Sequence, residues 1–349
     1  MKILITGGAG FIGSAVVRRA IADGHTVINL DALTYSANLD NVAAVADSAH
    51  YAFEHADICD AEAVSRIFAT HQPDAVMHLA AESHNDRAIE DPLAFVRANV
   101  LGTAVLLEGA RAYWNSLARE AKTAFRFHHV STDEVFGALG ETGVFDEATP
   151  YDPNSPYSAS KAGADHLVRA WGRTYGMPVV LTNCSNNYGP FQFPEKLIPT
   201  VILRAMEGKS IPVYGDGRQM RDWLHVDDHA EALLTVLLRG ALGETYAVGG
   251  DATQRNIEIV RALCAHLDRL APANTPHADR IAFVTDRPGH DFRYAMDASK
   301  LTRELGWTPR TTLADGLEST VRWYVDNRHW WQAIRDRGFD GERLGLVTG

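Results

Sequence analysis

This chain of 349 residues predicts a doubly wound α/β fold with a smaller, irregular α/β lobe. Three observations predict it. A glycine-rich turn joins an apolar strand to a helix at the N-terminus. Short apolar stretches then alternate with longer amphipathic ones as far as Asn187. Past Tyr188, prolines and glycines break that rhythm. Alternation at this spacing builds βαβ units with parallel strands, and right-handed crossovers put helices on both sheet faces.

Taken in order, residues 2–6 read as a buried strand, Gly7 to Gly13 as the turn, and Ser14 to Asp23 as a helix. A second strand runs from Thr26 to Leu30 and ends at Asp31. His50 to His55 reads as a third, with a helix from Asp60 to Thr70 behind it. Asp74 to Leu79 is the fourth strand, and Pro92 to Trp114 a long helix with Gly102 inside it. Phe125 to Val130, the helix Ser158 to Tyr175, and Val179 to Thr182 complete the alternation. Gly189, Pro190, Pro194, Pro199, Pro212, Gly215 and Gly217 then predict an irregular region. A helical segment over Trp223 to Leu238 and a strand over Thr245 to Val248 are expected to rejoin the sheet. Residues 271–294 are loop-rich, and the aromatic-rich Val321 to Trp331 suits core packing.

Composition narrows the class. Apolar residues make up 46% and charged residues 22%, an ordinary globular balance. No uninterrupted apolar run approaches the roughly 20 residues that span a bilayer, and no secretory leader is legible, so no membrane partner and a cytoplasmic location are expected. A net charge of −11 argues against nucleic acid as a partner. Cys59, Cys184 and Cys264 lack CxxC spacing and are expected to be buried thiols, with His128-His129 structural and no metal site.

The turn Gly7-Gly8-Ala9-Gly10-Phe11-Ile12-Gly13 holds GxGxxG at 8, 10 and 13, and a second glycine spacing at 7, 10 and 13. Glycines there permit a tight turn and close approach of a pyrophosphate, while the helix N-terminus offers free N–H groups. Between a strand and a helix, this is a Rossmann dinucleotide site. Asp31, at the end of the second strand, suits the adenosine ribose hydroxyls and repels a 2′-phosphate, which favours NAD. Asp57-Ile58 follows the third strand and suits the adenine, although Asp57 also suits a helix cap. The dinucleotide domain is then 1–187 with 222–250 rejoining it, and the interleaved lobe is 188–221 with 251–349.

Tyr157 and Lys161 form a YxxxK, which puts phenol and ammonium on one helix face. A phenol of pKa ~10 becomes a usable base when a neighbouring ammonium and a cationic nicotinamide stabilise its anion. The fifth strand runs out into Ser131-Thr132-Asp133-Glu134, a hydroxyl and two carboxylates at the edge where ligands bind. Taken alone, that triplet also reads as a helix cap with acidic first-turn residues.

TGGAGFIGS, LAAESH at 79–84, STDEVFG at 131–137, YSASKAGADHL at 157–167, NCSNNYGPFQFPEKLIP at 183–199, VYGDGRQMRDWLHVDDHA at 213–230 and DRPGHDFRY at 286–294 together resemble the dTDP-glucose 4,6-dehydratase family. This family lies within the extended short-chain dehydrogenase/reductase superfamily. The resemblance implies that Tyr157 takes the proton from the sugar O4 as hydride leaves C4 for NAD. It implies Glu134 as the base at C5, Asp133 as the acid on the 6-hydroxyl, and Thr132 as hydrogen-bond partner of O4. The returning hydride reaches C6, so NAD stays tightly bound and is regenerated each turnover. Two adjacent carboxylates in opposite roles require different pKa values, with Asp133 kept protonated.

The resemblance further implies cofactor contacts at Leu33, Thr34, Leu79, Ala80, Ala81, Ser83 and Asn187. It implies substrate contacts at Ser83, Asn186, Lys196, Leu197, Tyr214, Asn256 and His290, with Arg221 and Arg287 on the diphosphate. A homodimer through the helix near 92–114 and the YxxxK helix, and a role in deoxysugar biosynthesis, are implied as well. Two positions depart from the pattern: Asn85 replaces a small apolar residue and Phe292 a basic one. Both are expected near the substrate, with neither touching the acid or the base. A nucleotide-sugar 4-epimerase shares the glycine turn and YxxxK but needs no eliminating acid/base pair. A non-catalytic NAD sensor would need no polarised phenol.

Overall fold

The computed structural model describes residues 1–286, 289–339 and 341. Its central sheet contains β1 (Lys2–Thr6), β2 (Thr26–Asp31), β3 (Tyr51–His55), β4 (Ala75–His78), β5 (Arg126–Thr132) and β6 (Val179–Cys184). After β6 in sequence come β7 (Asn186–Tyr188), β8 (Ile211–Tyr214), β9 (Met220–His225), β10 (Thr245–Val248), which joins the central sheet, β11 (Thr253–Arg255) and β12 (Ile281–Val284). The seven-stranded order is β3-β2-β1-β4-β5-β6-β10, and every neighbouring pair is parallel. The order reverses between β1 and β4. A crevice opens there beyond the carboxyl ends of the strands.

Helices cover both faces. Phe11–Ala22 packs with Val226–Arg239 on one side, through Val16, Val17, Leu233 and Leu237. Ala61–His71 and Gly102–Ser116 cover the other through Ile67, Phe68, Leu106 and Leu107, with Val168 of the helix Pro156–Tyr175. The smaller lobe has its own core, which includes Ile202, Leu263, Val321 and Tyr324. Trp330 and Trp331 are buried in it, and Trp330 Nε1 donates to Asn41 Oδ1 at 2.9 Å, tying the lobe to the sheet domain.

Three segments differ from the sequence reading. Met220–His225 is a strand, with the helix starting only at Val226. The reason is local: the His225 side chain caps that helix by accepting from the Asp227 N–H, and Asp227 and Asp228 sit favourably in its first turn. Leu197–Met206 is helical inside the stretch expected to be irregular. Its Ile198, Val201, Ile202 and Ala205 are buried at helical spacing, and Pro199 falls in the first turn, where its missing N–H costs nothing.

Within the long helix, Val96–Leu101 widens into a π turn. Asn99, buried in that turn, donates to the Glu82 carbonyl at 2.9 Å and to Ser160 Oγ at 2.8 Å. Gly102 follows because a Cβ there would lie 2.7 Å from Ile58 Cδ1. Pro92–Ser116 is, among the described helices, the one long and apolar enough to cross a membrane by length and composition. Arg97, Glu108 and Arg111 interrupt it, and Leu106, Leu107 and Ala110 pack into the sheet-domain core.

Candidate active site

A cleft of about 440 Å³ runs across the carboxyl ends of β2, β1, β4, β5 and β6. Its first wall is the glycine turn. Gly7 has φ +75°, and a Cβ on it would lie 2.8 Å from the Ala80 backbone. One on Gly13 would lie 2.1 Å from the Gly7 carbonyl oxygen. Gly10 differs: its Cβ would meet no protein atom closer than 3.3 Å, so the missing side chain leaves room in the cleft. No side chain caps the helix beginning at Phe11, and its first N–H groups are left for an anion. A pyrophosphate fits this cradle.

Asp31 accepts from the Ala9 N–H at 2.9 Å and the Leu33 N–H at 2.8 Å. Burial raises its pKa and the two N–H groups oppose that, and each oxygen keeps a lone pair for a ribose hydroxyl. Leu33 serves through its backbone, in a left-handed conformation of φ 51°, and is not part of the cleft wall. Thr34, Asp57, Ile58, Leu79, Ala80, Ala81, Ser83 and Asn187 do line it.

At the end of β5 both readings of the triplet hold. Thr132 caps the short turn Asp133–Phe136 by accepting from the Glu134 N–H, and also donates to Asp133 Oδ1 at 3.2 Å. Asp133 is 1% exposed, and its Oδ2 has no hydrogen-bond partner. Burial pushes its carboxyl well above the usual range; Glu134 and Asp222 push the same way and Arg221 opposes. That direction suits a carboxyl that keeps a proton to give away. Glu134 is half-buried and faces the same cleft.

Tyr157 and Lys161 project from the helix Pro156–Tyr175, fixed at its start by the Ser155–Ser158 capping box. Burial and then Glu134 push the Tyr157 phenol well above its ordinary value, while the hydrogen-bonded Thr132 hydroxyl pulls down. Lys161 is lowered by burial, and its Nζ donates to the Val130 carbonyl at 2.9 Å. The expected lowering of the phenol by this ammonium is therefore not a property of the protein groups alone. A cationic nicotinamide in the cleft would act in the required direction.

On the substrate side, Asn186 and Lys196 line the cleft, and Lys196 Nζ donates to the Ser83 carbonyl at 2.9 Å. Leu197, Tyr214, Arg221, Asn256 and His290 do not line it, and Arg287 lies outside the described residues. Arg221 is turned inward: it donates to the carbonyls of Asp291 at 2.9 Å and Met220 at 2.7 Å, and lies over the Tyr294 ring. Tyr214 hydroxyl donates to Asp86, and His290 is paired with Asp286 at 2.6 Å.

Asn85 corrects a second expectation. Its Nδ2 donates to Glu134 Oε2 at 2.9 Å, so it does touch the base, whereas Phe292 is 38% exposed and meets Arg221 only through its carbonyl. Cys59 and Cys184 both line the cleft, and Cys59 is only half-buried. Glu82, Arg97 and Glu195 line it too and escaped the sequence reading. Glu82 falls inside LAAESH, Arg97 inside an apolar helix, and Glu195 next to Lys196.

A family model described as GDP-mannose 4,6 dehydratase matches residues 4–320. A dTDP-glucose 4,6-dehydratase of Shigella flexneri is 58% identical over 345 residues, covering 96% of each chain. One from Neisseria meningitidis is 57% identical and covers 99% of both. The chain belongs to the dTDP-glucose 4,6-dehydratase family. Among solved structures, the family member from Bacillus anthracis, in complex with NAD, superposes with a TM-score of 0.85 at 42% identity, covering 96% of this chain and 99% of that one. The Streptomyces venezuelae member, also with NAD bound, gives 0.87 at 44%, covering 96% and 100%. A UDP-glucose 4-epimerase of Thermotoga maritima reaches 0.83 at 28%, covering 94% and 100%, so the backbone alone does not separate the two chemistries.

Proposed function

We propose that the chain converts dTDP-glucose to dTDP-4-keto-6-deoxyglucose, with the work divided among Thr132, Asp133, Glu134, Tyr157 and Lys161. One observation carries this reading over the epimerase: a buried Asp133, with an unpartnered oxygen, next to a half-buried Glu134 in the same cleft, where burial favours the protonated form of Asp133. Exchange of configuration at C4 requires no such pair.

Bound NAD supplies the hydride acceptor at C4 and the hydride donor at C6. Tyr157 takes the O4 proton, with Thr132 holding O4 and Lys161, on the same helix face, providing positive charge in the cleft. The C4 ketone acidifies C5, where Glu134 removes the proton and gives it back to C5 once hydride has reached C6. Asp133 delivers its proton to the departing 6-hydroxyl, which leaves as water. Lys196 at the cleft wall and Arg287 are assigned to the diphosphate. Arg221 already serves three backbone carbonyls and acts on the site through its charge near Asp133.

The same reading takes 188–221 and 251–349 as the sugar-nucleotide lobe. It takes the assembly as a homodimer, supported by the exposed Leu93, Val96 and Leu101 on one helix. A soluble sugar nucleotide as substrate and NAD as cofactor support a cytoplasmic site of action in deoxysugar biosynthesis.

The test is turnover of dTDP-glucose deuterated at C4. The expected product has lost one water and carries the label at C6. A product of unchanged mass with inverted C4 would overturn the dehydratase reading.

A further inference from the structure

We propose that Asn85 is a positioning residue that holds the Glu134 carboxylate in place from the cap of the helix bearing Tyr157. The inference rests on Glu134 being the C5 base. Glu134 sits in a single short turn after β5, and among the described residues Asn85 provides the one side-chain hydrogen bond to its carboxylate, at 2.9 Å. The amide has only one chemically consistent orientation. A carboxylate only accepts, so the NH2 group must face Glu134, and Asn85 Oδ1 then accepts from Ser155 Oγ at 2.9 Å.

Ser155 is the N-cap of the helix Pro156–Tyr175 and is locked to Ser158 by the capping box. The chain of contacts Ser155–Asn85–Glu134 thus fixes the C5 base relative to Tyr157, two residues beyond the cap. Glu134 also stands between two spaces. It lines the main cleft and a second cavity of about 160 Å³, whose wall includes Asn85, Asn154, Ser155 and Tyr294. A glutamate free to turn between them would spend part of its time away from C5. With Oε2 held by Asn85, Oε1 is left to take the proton. Restricting a reacting group to its productive geometry is a direct gain in rate.

The experiment compares wild type, Asn85→Val, Asn85→Asp and Glu134→Gln as NAD-loaded enzymes with dTDP-glucose. Rapid mixing follows the burst of reduced nicotinamide, and steady state gives kcat, KM and the isotope effect of C5-deuterated substrate. Asn85→Val should keep the burst and KM, lower kcat roughly 10-fold, and enlarge the C5 isotope effect. Asn85→Asp, nearly isosteric but setting a carboxylate against the base, should lose more. Wild-type kcat and isotope effect in Asn85→Val, with elimination blocked in Glu134→Gln, would overturn the tether and spare the base assignment. Loss of the burst together with kcat in both Asn85 variants would overturn it in favour of a merely structural role. Full dehydration by Glu134→Gln would overturn the base assignment itself, and the tether with it.

Discussion

Asp133 and Glu134 are adjacent in sequence, yet the fold treats them differently. Asp133 lines the cleft but is nearly inaccessible and has one oxygen unpartnered, whereas Glu134 is half-buried and receives an amide hydrogen bond. Because the folded-state pKa of Asp133 is raised by burial, the folded form favours the proton. Its stabilising contribution is complete below the unfolded value of about 3.9 and is lost as pH rises toward the raised value. Asparagine is neutral throughout and escapes that loss. Asp133→Asn should therefore unfold at higher temperature than wild type, by a margin that widens as pH rises above the unfolded value of about 3.9. The same variant should slow elimination by roughly 100-fold or more, having no proton to give. Thermal melts as a function of pH decide the point, since a margin that does not change with pH would mean that folding does not favour the proton on Asp133. The identities of these groups were legible in the sequence because they are contiguous. The tether to Asn85 was not, since it spans 49 positions and depends on how β5 meets the Tyr157 helix.

At the scale of elements, the glycine turn was the clearest sequence signal, and the structure gives each glycine a separate reason. Gly13 faces the Gly7 carbonyl so closely that an added Cβ would sit 2.1 Å from backbone oxygen, which has no side-chain freedom with which to retreat. Gly13→Ala should push the turn open. Expected outcomes are protein isolated largely without NAD and a melting temperature several degrees lower, in line with a strain of about 1–3 kcal/mol. Cofactor content after acid precipitation measures the first; undiminished NAD would show that the turn need not stay closed. Elsewhere the local signal misled. Met220–His225 is buried along nearly its whole length, so it shows neither helical nor alternating periodicity, and the clear period of the following helix extended the helical reading into it. The π turn at Val96–Leu101 was equally illegible, because the contacts made within it, from Asn99 to Glu82 and Ser160, reach across the fold.

For the whole molecule, the parallel sheet was readable from alternation, and its place as scaffold followed from the reversal of strand order between β1 and β4. What alternation does not contain is how surfaces outside the core are used. The helix Pro92–Ser116 has two such duties. Ala94, Arg97 and Ala98 form part of the cleft wall, whereas Leu93, Val96 and Leu101 are 76%, 47% and 51% exposed. Apolar side chains on one helix and open to water are costly unless covered, and in the proposed homodimer a second copy of the chain would cover them across a two-fold axis. Leu101→Glu would place a charge from each copy against such an interface, and it lies one residue from Gly102, which packs on Ile58 at the cleft. The variant should halve the mass seen by light scattering. It should also release NAD more readily, since the cleft wall loses its outer support. Identical masses for variant and wild type across a dilution series would remove this helix from the dimer assignment, whatever the activity of the variant.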